Sequence, residues 1–302
     1  MTQTAPKITR FPIEVCDFFI DELATASHLN KGEWTSNEPL AIRKVTPCAL
    51  VNKAWRQRTY HHIWSSITIF FGTPSSARLK HQRRRITELC GILKTNPGLK
   101  RHICHLTLRF LPSGVNGLPD APELVELCAL LAPVPHLSIT ASNLPDLFNN
   151  EAPTNRLSRS LSHLCQGARL SKLLINANHV PIQVLEGAPQ LQDVKFINVS
   201  NVTGSTSGNP SRPLPFRLKS AAFVHSNEIL VTLLSGSPEV FSGLEKFFVL
   251  DVPEGTHRPL IQLLMRESST LKELSILDKV HTSLRKLSSV PHPCILSLTP
   301  LP

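Results

Sequence analysis

The 302-residue sequence lacks the features that mark membrane-spanning, secreted and disulfide-bonded proteins. It contains no run of about 18 uninterrupted apolar residues that could span a membrane, and residues 1–15 hold no apolar run to serve as a signal peptide. The seven cysteines are scattered singly, without a C-x-x-C pair, which predicts free thiols in a reducing compartment. These absences favour an intracellular, soluble protein of the cytoplasm, the nucleus or both.

Motifs that carry chemistry are also missing. Neither G-x-G-x-x-G nor G-x-x-x-x-G-K-[ST] occurs, and the segment Gly204–Gly208 has threonine where the nucleophile elbow G-x-S-x-G needs serine. A metal site is suggested only by Cys90, His102, Cys104 and His105. Cys104 and His105, however, point to opposite faces of one strand. We therefore expect no catalytic residue, no metal and no cofactor, and a protein that is not an enzyme.

Charge is scarce and unevenly placed. Charged residues make up 18% of the chain, below the usual ~25%, whereas hydrophobic residues make up 41%, enough for a packed core. The net charge is +10, and residues 56–109 alone hold eleven basic side chains against one acidic side chain, Glu88. This concentration argues against a chain that contacts polyanions along its whole length.

The densest basic run covers residues 78–85. Its basic side chains are Arg78, Lys80, Arg83, Arg84 and Arg85. The run is compatible with a solvated helix face, with a nuclear localisation patch, or with a contact to nucleic acid or an acidic protein. Phe70 and Phe71 are the only aromatic residues nearby that could stack on bases.

A short apolar pattern recurs from residue 103 onward. It reads apolar-x-x-apolar-x-apolar, as in Leu170, Leu173 and Ile175, and returns at intervals of 21–36 residues. The copies begin at Ile103, Val134, Leu170, Leu191, Leu218, Leu244 and Leu271. Because the last two apolar positions lie two residues apart, each copy predicts a strand with one buried face.

Helix-like segments alternate with these strands. They are Pro122–Leu131, Pro181–Glu186, Asn227–Leu234 and Pro259–Arg266. Such units bury their apolar faces by stacking on neighbours. Over residues 60–300 the pattern resembles irregular leucine-rich repeats, which implies an α/β solenoid with a curved parallel sheet and outer helices. An ordinary α/β domain is the alternative, and an irregular connection at 141–156 and a flexible polar loop at 199–216 interrupt the period.

Residues that flank the buried strand positions are expected on the opposite, strand-lined face. They are polar and basic in the early copies and apolar in the later ones. The candidate partner-binding residues are Leu174, Lys195, Ile197, Val224, Phe248 and Leu250. Either this face binds a partner, or a loop or the C-terminal tail covers it.

The first sixty residues carry the most specific motifs. Phe11–Glu14 opens a helix with proline in its first turn, and an apolar stripe follows. Leu50–Trp55 belongs to a second helix-like segment that starts at Cys48, and Ile63–Trp64 precedes a strand at 66–69. These segments, in this order, resemble the F-box, and an F-box followed by leucine-rich repeats is a domain combination common in fungi.

The resemblance implies a tail at 1–10, an F-box-like helical domain at 11–65 and a leucine-rich-repeat-like region at 66–302. Residues 11–60 would bind the Skp-type adaptor of a cullin–RING ubiquitin ligase, and the repeats would hold a protein substrate for degradation. The candidate adaptor-binding residues are Phe11, Pro12, Val15, Phe19, Ile20, Leu50, Val51 and Trp55. A polar insert at 24–41 is longer than is typical of the family.

Three alternatives remain open at this point. Residues 11–60 could form a helical cap that shields the end of the repeats. The chain could be a non-catalytic interaction scaffold with a degenerate F-box, or a nucleic-acid-associated protein that uses the run at 78–85.

Overall fold

The computed structural model describes residues 13–26, 46–71, 76–110, 121–132, 134–141, 156–203, 214–251, 257–267 and 269–277. Its helices are α1 (Ile13–Ala26), α2 (Lys53–Trp64), α3 (Ser76–Thr95), α4 (Pro122–Leu130), α5 (Arg156–Cys165), α6 (Asn227–Gly236) and α7 (His257–Arg266). Its strands are β1 (Ser66–Phe71), β2 (His105–Phe110), β3 (His136–Ala141), β4 (Lys172–Ala177), β5 (His179–Pro181), β6 (Asp193–Ile197), β7 (Asn201–Thr203), β8 (Ser220–Val224), β9 (Lys246–Leu250) and β10 (Glu273–Leu277). Phe11, Pro12, the tail at 1–10 and most of the 24–41 insert lie outside the described residues.

The chain divides into two compact units. The first comprises residues 1–67 and 96–104, and the second comprises residues 68–95 and 105–302. The first unit holds α1, α2 and 3-10 turns at Thr46–Leu50 and Pro97–His102. In its core Ile20 is fully buried, and Cys48 and Trp55 pack with it.

The start of α2 differs from the sequence expectation. The pattern predicts one helix-like segment from Cys48 to Trp55, which is wrong, because a 3-10 turn ends at Leu50 and α2 begins at Lys53. Asn52 has extended backbone with φ at −163°, and its side-chain oxygen accepts a hydrogen bond from the Trp55 N–H at 3.0 Å. This cap satisfies one of the backbone donors that the first turn of a helix leaves free.

Eight of the described strands form one sheet in the order β1-β2-β3-β4-β6-β8-β9-β10. Every pairing from β2 to β10 is parallel. Parallel neighbours that follow chain order need crossover connections, and the rule that such crossovers are right-handed predicts that the connecting helices lie on one face of the sheet. The expected α/β class with a parallel sheet is confirmed.

The recurring apolar pattern occupies the buried face of this sheet. Ile175 on β4 pairs with Ile139 on β3 and with Phe196 on β6, and all three side chains are fully buried. The Phe196 and Phe223 rings stack at a centroid distance of 5.9 Å. Burying each such side chain stabilises the fold by about 1.5–3 kcal/mol. A strand is confirmed at each of the seven copies, and its apolar face is buried in six of them, whereas Leu274 and Ile276 of the last copy are half-buried.

The helix predictions have mixed outcomes. Pro122–Leu131, Asn227–Leu234 and Pro259–Arg266 correspond to α4, α6 and α7. Pro181–Glu186 contains only a 3-10 turn, Ile182–Leu185, and α5 was not predicted.

The prediction of a flexible polar loop over residues 199–216 is wrong at both ends of this segment. Strand β7 pairs in parallel with β5, and Val199 is fully buried. Leu214 and Phe216 are also buried, because their apolar side chains are drawn into the core. Residues 204–213 lie outside the described part of the chain.

Candidate functional site

Helix α1 exposes three apolar side chains. Val15 is 50% exposed, Phe18 66% and Phe19 51%. These positions are spaced i, i+3 and i+4, so they share one face of the helix; we call them the α1 apolar face. Single exposed apolar side chains are common, but an apolar face on one helix is typical of a partner site. Val15 and Phe19 are among the predicted adaptor-binding residues, whereas Phe18 is not, although its helical spacing places it beside them.

A second exposed apolar group lies before the start of α2. Leu50 is 83% exposed and Val51 59% exposed, and we call this pair the Leu50–Val51 corner. The backbone beside the corner is held by Arg56, whose Nε donates a hydrogen bond to the Ala49 carbonyl at 3.2 Å. The corner is therefore presented outward by a structured turn.

Two of the candidate adaptor-binding residues have a structural role instead. Ile20 is fully buried, and Trp55 is half-buried and packs against the Ile20–Cys48 core. The Phe19 ring lies 6.1 Å from the Trp55 ring, so one side of the Phe19 side chain packs within the first unit and the other side faces solvent. The structure thus separates core residues from exposed ones, a division the sequence pattern does not make.

A polar clasp links α1 to α2. Arg58 Nε donates a hydrogen bond to Asp21 Oδ1 at 2.7 Å, a second contact joins the same two side chains, and His62 Nε2 lies 2.7 Å from Asp21 Oδ1. Hydrogen bonding to Arg58, above all, lowers the pKa of Asp21 to about 2. The carboxylate is ionised at neutral pH, and its contacts with Arg58 and His62 join α1 to α2.

The candidate partner-binding residues of the sheet lie on its other face. Leu174, Lys195 and Phe248 belong to one row of register positions, whereas Ile197, Val224 and Leu250 form the neighbouring row. Lys195 is exposed and the other five are half-buried. The described part of the chain therefore leaves this face partly accessible to solvent, and the structure brings all six residues together.

The beginning of the strands on this face is polar. The register row contains His105, His136, Lys172, Asp193, Ser220, Lys246 and Glu273. Lys172 pairs with Asp193 at 3.0 Å and Lys246 with Glu273 at 2.5 Å. On β6, β8 and β9 the face therefore changes from polar to apolar along the strand direction, whereas β2, β3 and β4 carry Arg109, Thr140 and Asn176 in the last row.

The predicted basic patch lies on α3, within the second unit. Arg83 pairs with Glu123 of α4 at 2.9 Å, and Arg84 pairs with Glu88 one turn along its own helix at 2.8 Å. Lys80 and Arg85 are exposed, and the side chain of Arg78 lies outside the described residues. Part of this run therefore has a structural role between helices.

A cavity of about 290 Å³ lies at the carboxyl ends of β6, β8 and β9. It is lined by Val199, Ser200, His225, Asn227, Glu228 and Asp251. His225 pairs with Asp251, and both have positive φ, at 49° and 66°. Glu228 accepts a hydrogen bond from the Val202 N–H at 3.1 Å, so this polar side chain of the cavity lining is engaged with neighbouring backbone.

Several thiols are buried and unsuited to nucleophilic chemistry. Burial raises the pKa of Cys90 to about 11 and that of Cys128 to about 12. Both thiols stay protonated at neutral pH, and the thiolate is the reactive form.

No protein-family model matches the chain, and no curated protein matches it significantly. Among the described helices, none is both long and apolar enough to cross a membrane. No group of three or more His, Cys, Asp or Glu side chains in the same part of the chain is placed to hold a metal ion. The geometry defines an α/β protein with exposed apolar groups on a helical unit and a half-open sheet face.

Proposed function

We propose that the chain is the substrate-recruiting F-box subunit of a Skp–cullin–F-box ubiquitin ligase and is itself not catalytic. The observation that carries this proposal is the exposure of Val15, Phe19, Leu50 and Val51 around a helical core. These are residues that the F-box resemblance assigns to the adaptor contact. Apolar area of this kind contributes to binding at about 25 cal/mol per Å² buried, before the cost of association.

The second unit would hold the substrate. Its parallel strands follow chain order with helices between them, which supports an irregular leucine-rich-repeat solenoid with a curved sheet. In that architecture the open sheet face carries the partner. Its apolar rows, centred on Ile197, Val224 and Phe248, would contact the substrate protein.

Binding of the full chain to a purified Skp-type adaptor tests the proposal. Phe18→Ala and Leu50→Ala each remove an exposed apolar side chain, and we expect each to weaken binding by about 2 kcal/mol, roughly 30-fold in Kd. Ile261→Ala is the matched control, since Ile261 is an apolar residue on α7 of the second unit and is 54% exposed. It should bind like the unchanged chain.

Absence of adaptor binding by the folded chain would contradict the proposal. Equal losses for Leu50→Ala and Ile261→Ala would contradict the assignment of the surface. Adaptor binding without ubiquitination of any co-purified protein would favour the interaction-scaffold alternative.

A further inference from the structure

The sheet face opposite the buried one, which we call the open sheet face, has a polar row at the start of its strands. Two histidines in this row are in direct contact. His105 on β2 and His136 on β3 are register partners, with side chains on the same face. Their Nδ1 atoms lie 2.9 Å apart, and their ring centroids lie 4.3 Å apart at an interplanar angle of 70°. His105 is exposed and His136 is half-buried, so solvent reaches the pair.

This spacing matches two ligands of one metal ion. With metal–nitrogen bonds of about 2.0–2.1 Å, a ligand–metal–ligand angle of 90° places the two nitrogens roughly 2.9 Å apart, and a tetrahedral angle roughly 3.3 Å. The same right-angled arrangement puts the ring centres roughly 4.5 Å apart, whereas an in-line N–H···N hydrogen bond would put them roughly 5.2 Å apart. The observed 2.9 Å and 4.3 Å agree with the right-angled arrangement.

Burial and the neighbouring charge of Lys172 act on both rings. Burial lowers the pKa of His105, and the positive charge of Lys172 lowers it further. Burial also lowers the pKa of His136; His105 and Lys172 add to this effect, and the negative charge of Asp193 opposes it. A neutral imidazole offers one nitrogen lone pair to a metal. The ammonium of Lys172 is itself paired with Asp193 at 3.0 Å, which offsets its repulsion of a cation.

We propose that His105 and His136 form a two-histidine site for a divalent transition-metal ion, with water in the remaining positions. The right-angled geometry suits copper(II) and nickel(II), whose square-planar or tetragonal complexes use imidazole, and copper(II) binds nitrogen ligands most tightly among the first-row divalent ions. The site lies on the second unit and does not depend on the function proposed for the first.

Titration of the full chain with Ni²⁺ by calorimetry, and with Cu²⁺ by electron paramagnetic resonance, tests the site. We expect one metal site, and its affinity should fall at least tenfold in His105→Ala and by the same factor in His136→Ala. The double variant should bind no more weakly than either single variant, because one remaining ring alone cannot chelate the ion. His163→Ala, which removes an exposed histidine on α5, is the control and should leave the affinity unchanged. Circular dichroism is the check that each variant is folded.

Electrostatics provide a second readout. Lys172→Gln should raise the affinity for Ni²⁺ several-fold, because it removes a positive charge beside the rings, and Asp193→Asn should lower it. The proposal would be overturned if the losses of binding free energy in the two single variants simply added in the double variant, because two histidines that bind metal independently behave in that way. Equal losses for His163→Ala and His105→Ala would overturn it as well.

Discussion

Replacing Asp21 by asparagine tests the clasp that joins α1 to α2. The carboxylate accepts from Arg58 at 2.7 Å and contacts His62 at the same distance. The hydrogen bond from Arg58 makes the largest contribution to lowering the pKa of Asp21 from 3.8 to about 2, and burial opposes it. Asparagine keeps the size of the side chain and removes its charge.

The expected loss follows from this pKa. A shift of that size corresponds to about 2.4 kcal/mol of preference for the charged form. The Asp21 and Arg58 side chains are 35% and 37% exposed, so solvent screening reduces the effect on stability to about 1 kcal/mol. Asp21→Asn should therefore lower the free energy of unfolding of the first unit by about 1 kcal/mol at pH 7.

The sign of the pH dependence follows from the lowered pKa. A carboxyl whose pKa is lower in the folded state stabilises that state fully above the pKa of the unfolded state, here 3.8. The stabilisation is lost as the pH falls towards about 2, and about half of it remains at pH 3. The difference between the unchanged chain and Asp21→Asn should therefore shrink between pH 5 and pH 3.

Urea unfolding followed by tryptophan fluorescence measures this difference in stability for the first unit. All three tryptophans of the chain precede residue 68, and Trp55 and Trp64 belong to helix α2 of the first unit. Glu22→Gln removes an exposed carboxylate next along α1 and should change stability by less than about 0.5 kcal/mol. A loss in Asp21→Asn no larger than in Glu22→Gln, or one that stays constant down to pH 3, would refute the reasoning.

Two further substitutions test the capping and the core. Asn52→Ala should destabilise the first unit by about 1 kcal/mol, because it removes the acceptor of the Trp55 N–H; tryptophan fluorescence measures it, and Asn52→Asp should retain most of the stability. Phe223→Ala should cost about 3–5 kcal/mol, because this fully buried ring stacks on Phe196 and packs at 6.1 Å from Phe247. Circular dichroism in urea measures that loss. Phe70→Ala, at a ring that is 47% exposed, should cost far less, and similar losses at the two sites would contradict the core assignment.

The strands were predictable because their signal is local. Side chains two residues apart, such as Leu173 and Ile175, lie on the same face of a strand, and burial of that face keeps both apolar. Helix α5 carries a comparable local signal, because its buried Leu157, Leu161 and Leu164 are spaced i, i+4 and i+7. The serines between them lower helix propensity without breaking the pattern.

Long-range features of the candidate sites could not be derived in the same way. The separation of Ile20 from Phe19 depends on which side of α1 faces α2, and adjacent apolar residues leave that choice open. The contact between His105 and His136 spans 31 positions and depends on strand register. It becomes visible in the sequence only after the copies starting at Ile103 and Val134 are aligned as neighbouring parallel strands.

The same limitation applies to the concentration of positive charge at residues 56–109. Counted along the chain this stretch has one acidic side chain, yet three of its basic residues meet carboxylates from elsewhere in the same folded unit. Arg58 pairs with Asp21, Arg83 with Glu123 and Lys94 with Glu126, at separations of 37, 40 and 32 positions along the sequence. Because a phosphate ligand would have to compete with these carboxylates, the positive potential at these residues is weaker than the sequence count implies. The basic stretch is thus partly a set of ion-pairing partners for helices α1 and α4.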